Sequence, residues 1–239
     1  MRKRFYIKPD LKLFLDQDPL RFSRSQITDL IENHFNIYSS RFGKNIPFKL
    51  NNNQKQIIKS VSENKITVIS KTRQLGVSTV MQSILTLLMA DADVTVYYIC
   101  HNKQSAKSRK QSMIYLLECL KEFELQYKSP DNPSSFDIIK ETENSYTLSN
   151  FSKIKFTTYD PNLFRGSNAM HVYFDECLPN NVADAMIMLG PITNAIKGHR
   201  IIISNPTSEA EYISQSLRNL RHHFLNIPRG EYHLSPATY

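Results

Sequence analysis

A short loop with the composition of a phosphate-binding site separates an apolar, β-rich run, residues 66–70, from an apolar helical run, residues 80–88. Loops of this kind bind phosphates through backbone N–H groups and a lysine, and a hydroxyl at the start of the following helix binds Mg²⁺. We therefore predict nucleotide-phosphate contacts by Lys71, Thr72, Arg73, Gln74, Leu75, Gly76, Val77, Ser78 and Thr79.

The loop departs from the usual pattern G-x-x-x-x-G-K-[ST] at its lysine. Gly76 and Ser78 match the pattern, but Val77 occupies the usual lysine position, and Lys71 stands where the first glycine is expected. We expect Lys71 to supply the positive charge and Ser78 to bind Mg²⁺, with the adjacent Thr79 as the second choice. The alternatives are a solvated lysine that ends the strand and an ordinary serine at a helix N-terminus.

Two adjacent acids follow a second apolar run, residues 170–174. A buried parallel strand would deliver such carboxylates to the carboxyl edge of the sheet, where α/β proteins bind ligands. We assign Asp175 to the Mg²⁺ ligands and Glu176 to orienting the water that attacks the γ-phosphate. Arg73 is a candidate for stabilising transition-state charge within the same chain. A solvent-facing acid pair and a solvated loop arginine are the alternatives.

The composition is basic, with 30 Lys and Arg residues against 22 Asp and Glu residues and a net charge of +8. This excess is compatible with a polyanionic partner such as DNA, although charged helix faces are more often merely solvated. Candidates for sequence-independent phosphate contacts are Lys103, Lys107, Arg109, Lys110, Arg218, Arg221, His222 and His223.

The three cysteines are odd in number and lack the paired short spacing of a zinc site, so we expect free thiols in a reducing compartment. No apolar run approaches the ~18 residues of a membrane span, and the N-terminal region has no unbroken apolar signal segment. We expect a soluble cytoplasmic protein with no membrane partner.

Strands and helices alternate after residue 45, which predicts an α/β fold with a mostly parallel sheet flanked by helices. Residues 1–45 are expected to form a small appendage or lid with a helix near 25–38, and residues 46–239 to form one domain. The predicted helices lie at 52–62, from the loop to about 90, at 103–123 and at 182–189, and the strands at 66–70, 94–100, 146–148, 153–158, 170–175 and 200–204, with Glu176 one residue beyond its strand.

Four segments come in the order found in the ATPase domain of tailed-bacteriophage large terminases, and the chain resembles that family. They are residues 71–79, 164–168 (F-R-G-S-N), 174–176 (F-D-E) and 203–207 (I-S-N-P-T). The resemblance implies a P-loop NTPase of the additional-catalytic-glutamate type, which hydrolyses ATP with Mg²⁺ and translocates double-stranded DNA into a viral procapsid.

The same resemblance implies roles for residues outside the loop and the strand end. Gln54 is similar to the glutamine that reads the adenine edge, for which a side-chain amide is suited because it both donates and accepts. An ordinary surface glutamine is the alternative. Arg165 matches an arginine that reaches the nucleotide of a neighbouring subunit, although support of the turn at Gly166 is equally plausible. The segment coupling hydrolysis to movement would comprise Ser204, Asn205, Pro206 and Thr207.

The resemblance also implies a homo-oligomeric ring, a portal and a small terminase subunit as partners, in the host cytoplasm and transiently at the procapsid portal. Large terminases carry a C-terminal nuclease domain, and residues 208–239 are far fewer than the ~100–150 of an independent domain. We therefore expect no nuclease domain and no nuclease activity in these residues. Either the chain is a fragment or a split gene product, or another polypeptide does the cutting.

Two other functions are compatible with these residues. A helicase-like nucleic-acid-dependent ATPase is suggested by Gln54 and the Asp-Glu pair, but the length leaves no room for a second α/β domain. A non-catalytic nucleotide-binding P-loop module is favoured by Val77 in the lysine position and opposed by Glu176.

Overall fold

The computed structural model describes residues 24–39, 42–71, 75–90, 93–125, 134, 136–160, 169–177, 185, 199–204 and 223–227. Within these ranges the chain forms four helices and ten strands. They are α1 (Arg24–His34), β1 (Asn36–Ser39), β2 (Lys44–Pro47), α2 (Asn52–Glu63), β3 (Ile66–Lys71), α3 (Val77–Leu88), β4 (Thr95–Cys100), α4 (Lys103–Leu125), β5 (Ile138–Thr142), β6 (Ser145–Leu148), β7 (Lys153–Thr158), β8 (His171–Cys177), β9 (His199–Ser204) and β10 (His223–Ile227).

An eight-stranded sheet has the order β10-β3-β9-β8-β4-β7-β6-β5. The strands from β10 to β7 run parallel, and β6 and β5 return antiparallel at one side. This topology confirms the predicted mostly parallel α/β sheet flanked by helices. Because parallel strands end at the same edge, β3, β4, β8 and β9 bring Lys71, Cys100, Cys177 and Ser204 together on one side of the molecule.

The central strands are buried on both faces, which explains their apolar sequences. All of β9 is buried, and so are all residues of β3 except the first. On one face, side chains of α2, α3 and α4 share a large core with Ile69, Tyr98 and Tyr173. On the other face, Val68 and Ile99 belong to a second cluster. Strand β8 lies between β4 and β9, so its two acids emerge from the rigid centre of the sheet.

Helix α1 shares the large core of the sheet, where its Ile27 and Ile31 are buried. The helix predicted at 25–38 is wrong beyond His34, because the next residues pair antiparallel with β2 as strand β1. Tyr38 is exposed on that strand. The domain boundary at residue 45 stays a prediction.

Strands β5 and β10 were not predicted, and β8 begins one residue later and ends two residues later than predicted. Four of the five residues of β5 are exposed, so this edge strand lacks the apolar alternation that marks a half-buried strand. The helix predicted at 182–189 lies outside the described residues apart from Ala185, which is buried. No helix in the described ranges is long and apolar enough to span a membrane.

Two histidine rings meet at the amino-terminal edge of the sheet, opposite the predicted site. His171 begins β8 and His199 begins β9, with their ring centroids 5.3 Å apart. Neither ring nitrogen of His171 has a hydrogen-bond partner in the described part of the chain. Burial, reinforced by His199, lowers the pKa of His171 to about 3. His171 is therefore neutral, and a proton on it would place an unpaired charge in the core.

We expect His171→Leu to make the fold less sensitive to acid. The unfolded chain protonates His171 below its ordinary pKa of 6.5, whereas the folded protein protonates it only near pH 3. The free energy of unfolding of the wild type should therefore fall between these values by up to ~1.4 kcal/mol per pH unit from this residue, and the variant should lack that loss. Urea unfolding at pH 7, 6 and 5 measures the difference. Parallel losses in both proteins would contradict the assignment.

Candidate nucleotide-binding site

Strand β3 and helix α3 hold the two ends of the predicted phosphate-binding loop. Lys71 is the last residue of β3 and is only 5% exposed. Gly76 precedes α3 with a φ of 66°, a left-handed conformation that glycine adopts without steric cost. The first turn of α3 then directs N–H groups that have no intrahelical partner toward the carboxyl edge of the sheet. The predicted contacts Thr72, Arg73 and Gln74 lie outside the described residues.

The remaining loop residues divide between the core and the site. The side chains of Leu75 and Val77 are buried in the large core. Val77 therefore takes part in packing where the usual pattern has a lysine, which leaves Lys71 as the loop lysine in the described part of the chain. Ser78 and Thr79 are half-buried in the first turn of α3.

Gln54 lies against the loop and is fixed at the N-terminus of α2. Its backbone N–H donates to Asn51 Oδ1 at 2.9 Å, and its Oε1 accepts from the Asn51 backbone N–H at 3.0 Å, which together form a capping box. Its Nε2 donates to the Leu75 carbonyl at 3.5 Å. The Asn-x-x-Gln spacing signalled the cap in the sequence. The adenine-reading role of Gln54 stays a prediction.

The loop and strand β8 meet through Ser78 and Asp175, which are 97 residues apart in the sequence. Ser78 Oγ donates to Asp175 Oδ1 at 3.0 Å. Tyr173 OH donates to the same oxygen at 3.3 Å, and Tyr98 OH donates to Oδ2 at 3.2 Å. Burial raises the pKa of both tyrosines well above the usual value, so both phenols are protonated donors. Arg109 Nε completes the set, 3.1 Å from Oδ2.

Glu176 is directed away from Asp175 by an irregularity in β8. The pairing of β8 with β9 shifts register between Phe174 and Cys177, and Glu176 has a φ of 58°. Asp175 thus lies within the strand as predicted, whereas Glu176, predicted to lie one residue beyond the strand, is part of the strand and its bulge. Glu176 Oε2 is 3.0 Å from Nδ1 of His101, which follows β4, and the glutamate side chain is 31% exposed. Glu176 is accessible to water, whereas Asp175 is buried.

The sequence of residues 68–224 matches the family model described as terminase large subunit, T4likevirus-type, N-terminal. The matched segment contains most of the chain, including Ser78, Asp175 and Glu176. The chain belongs to this terminase family. The family resemblance inferred from the motifs is therefore confirmed.

Solved structures share the fold of this terminase domain. The large terminase of bacteriophage HK97 matches with a TM-score of 0.56 and 13% identity, over 87% of this chain and 45% of that one. The large terminase ATPase domain of Thermus phage P74-26 matches with a TM-score of 0.50 and 17% identity, over 67% and 66%. The UvsW helicase of bacteriophage T4 matches with 0.53 and 9%, over 86% and 68%. The chain spans less than half the length of the HK97 large terminase.

The side chains at the terminase P-loop fit a magnesium ion. Mg²⁺ takes oxygen ligands at ~2.0–2.1 Å in an octahedron, in which neighbouring ligands lie about 2.9 Å apart. Ser78 Oγ and Asp175 Oδ1, two oxygens suited to this ion, are 3.0 Å apart. These two residues are the ones predicted from the sequence to hold the metal.

Sequence reasoning missed the roles of Arg109 and Lys110, which it grouped with candidate DNA contacts. Arg109 is bound to Asp175, and Lys110 is buried, with Nζ 2.6 Å from Glu141 Oε1. The signal was present in the helical spacing. Ala106 and Met113 are buried on the core-facing side of α4. Arg109 comes three residues after Ala106 and Lys110 comes three residues before Met113, so both lie next to that side.

The predicted coupling segment starts at the carboxyl end of β9. Ser204 ends β9, is fully buried, and pairs in register with Ser70 and Cys177. The rest of the predicted coupling segment, Asn205, Pro206 and Thr207, lies outside the described residues, as does Arg165. Cys100 at the end of β4 is buried near Asp175, and burial raises the pKa of its thiol to about 12.

We expect Gly76→Ala to lower the free energy of unfolding by about 2 kcal/mol. A left-handed alanine costs about 1 kcal/mol, and a Cβ at residue 76 would lie 2.5 Å from Gln54 Nε2. Displacing Gln54 from its capping contacts adds roughly 1 kcal/mol. Gly43→Ala is the matched control, because Gly43 has a φ of 62° and nothing within 4 Å of such a Cβ. Equal losses in urea unfolding would show that Gln54 does not restrain the loop.

Proposed function

We propose that this terminase domain hydrolyses ATP with Mg²⁺ and that hydrolysis drives double-stranded DNA into a procapsid. The observation that carries the proposal is the 3.0 Å contact between Ser78 Oγ and Asp175 Oδ1. It joins the hydroxyl that opens α3 to the acid of the central strand, at the edge of the sheet where the loop, the lysine and the second acid also lie. This combination of groups is the one that Mg²⁺-dependent phosphoryl transfer requires.

The loop and the start of α3 would bind the phosphates. The left-handed Gly76 allows the backbone to turn so that N–H groups of the first helical turn face the phosphates. Lys71 at the end of β3 supplies the positive charge that Val77 does not. Its low exposure, 5%, places that charge where screening by water is weak, which strengthens its attraction for phosphate.

Ser78 and Asp175 would hold the metal, and Mg²⁺ bound there would neutralise charge on the phosphates of ATP. Glu176 would orient the attacking water and accept its proton. Its side chain is open to water, and His101 holds the carboxylate at 3.0 Å, so the base is positioned before the nucleotide binds. Arg73 is proposed to stabilise the transition-state charge in the same subunit, Arg165 to do so from a neighbouring subunit, and Gln54 to contact adenine.

The proposal extends to a motor role and to the partners of the domain. A net charge of +8 suits a DNA partner, and Lys103 and Lys107 are exposed on α4. The coupling segment of residues 204–207 begins at the end of β9, next to β8, so a change at Asp175 has a short path to it. We propose a homo-oligomeric ring in the host cytoplasm that engages a portal and a small terminase subunit.

We expect Glu176→Gln to reduce the rate of ATP hydrolysis at least ~100-fold while leaving nucleotide affinity within a few-fold, because the amide cannot accept the proton. Steady-state hydrolysis with Mg²⁺ measures the rate, and a fluorescent ATP analogue measures binding. Hydrolysis by the wild type should rise with double-stranded DNA.

The outcomes separate the alternatives. Stimulation by single-stranded DNA alone would favour a helicase-like ATPase. Binding without turnover in both proteins, even when the chain is concentrated enough to assemble, would favour a non-catalytic module. Equal turnover in the two proteins would refute the role of Glu176.

We expect Lys71→Ala to weaken ATP binding by roughly tenfold to a hundredfold, the range for losing a charged hydrogen bond. Lys65→Ala is the control, because Lys65 is an exposed lysine immediately before the other end of β3. Calorimetric titration with a non-hydrolysable ATP analogue gives both affinities. If the two variants bind alike, the charge of the loop does not come from Lys71.

A further inference from the structure

The carboxylate of Asp175 is fully engaged by its own chain. A carboxylate offers about four lone-pair positions. Ser78 and Tyr173 donate to Oδ1, and Tyr98 and Arg109 donate to Oδ2. Three of these donors are neutral, so Arg109 is the cation bonded to Asp175 among the described residues. This carboxylate is the one that the proposed function gives to Mg²⁺.

We propose that Arg109 is a positioning residue that serves as the counter-cation of Asp175 in the nucleotide-free domain and that Mg²⁺ must displace it. This inference rests on the proposed function. In the empty site the guanidinium neutralises a carboxylate that is only 4% exposed, which would otherwise be costly to bury. Arg109 therefore stabilises the same charge that the metal stabilises after loading.

Simultaneous binding of Arg109 and Mg²⁺ is disfavoured by charge. Two cations on one buried carboxylate repel each other strongly, because the low-dielectric surroundings screen them little. Arg109 is the partner that can leave. Its side chain is 30% exposed and reaches in from the surface of α4, whereas Asp175 belongs to the central strand and is held by two buried tyrosines.

The consequence is an order of binding. Free Mg²⁺ that enters the empty site must displace Arg109, and no phosphate is present to neutralise the displaced guanidinium. Mg²⁺ that enters with a nucleotide brings phosphate charges, which offset the displaced guanidinium. Arg109 thus makes metal binding depend on the nucleotide, and it keeps the empty site in one defined arrangement. Arg109 therefore acts inside the site, whereas the exposed lysines of the same helix are the candidates for DNA contacts.

The test compares Arg109→Gln with Lys107→Gln, which removes the same charge from an exposed position of α4. Two measurements are made across a Mg²⁺ series at constant ionic strength. The first is the melting temperature with Mg²⁺ alone, and the second is the affinity for a fluorescent ADP analogue, including a sample in EDTA.

For Arg109→Gln we expect the Mg²⁺ concentration that gives half-maximal ADP affinity to fall about tenfold, in line with the loss of a competing charged hydrogen bond. Affinity in EDTA should stay within twofold of the wild type. Mg²⁺ alone should raise the melting temperature of this variant and leave the wild type and Lys107→Gln unchanged. Arg109→Lys, which keeps the charge but loses the planar fork, should give a shift of about threefold.

An unchanged Mg²⁺ dependence in Arg109→Gln would overturn the proposal, and so would weaker ADP binding in EDTA, which would make Arg109 a nucleotide ligand. If the glutamine variant does not fold, a half-maximal Mg²⁺ concentration for Arg109→Lys at or above the wild-type value overturns it. Absence of ADP binding in every protein at every Mg²⁺ concentration would refute the proposed function. The melting series with Mg²⁺ alone would still decide whether Arg109 excludes the metal.

Discussion

The buried carboxylate of Asp175 constrains the carboxyl edge of the sheet around it. Its carboxylate is almost out of contact with water, and donors from α3, α4, β4 and β8 offset the cost of that burial. Because Ser78, Tyr98 and Tyr173 must reach two oxygens of one small group, the start of α3 has little freedom relative to β4 and β8 at this point. The start of α3, where phosphates would bind, is therefore positioned by the same interaction that would hold the metal.

The parallel topology and one local irregularity place the two acids in different surroundings. Parallel strands end at the same edge of the sheet. The topology alone therefore brings the loop, both acids and the end of β9 to that edge. In a regular strand, consecutive side chains point to opposite faces. The register shift and the left-handed backbone at Glu176 direct its carboxylate toward His101 and water, while Asp175 stays inside. A strained residue at the acid assigned to catalysis is a common feature of functional sites.

Helix α4 shows why a basic composition does not map directly onto a nucleic-acid surface. Of its four basic residues before residue 111, two are exposed and two face inward, to Asp175 and to the β5 region. The exposed pair lies on the surface proposed to contact DNA, and the inward pair binds carboxylates of the same chain. The same helix thus borders both the proposed nucleotide site and the surface proposed for DNA.

The sequence by itself determined the fold class, the family and the order of the chemical groups, because hydrophobic periodicity, loop composition and the acids after an apolar run are local properties. It also indicated Ser78 and Asp175 as partners, since a loop hydroxyl and a strand-end acid belong at one sheet edge. Only the tertiary structure decided that Arg109 binds Asp175 and that His101 holds Glu176, because those contacts join residues far apart in the chain. Edge strand β5 could not be predicted for a related reason. Its position depends on hydrogen bonds to β6, and its mostly exposed side chains show no apolar alternation.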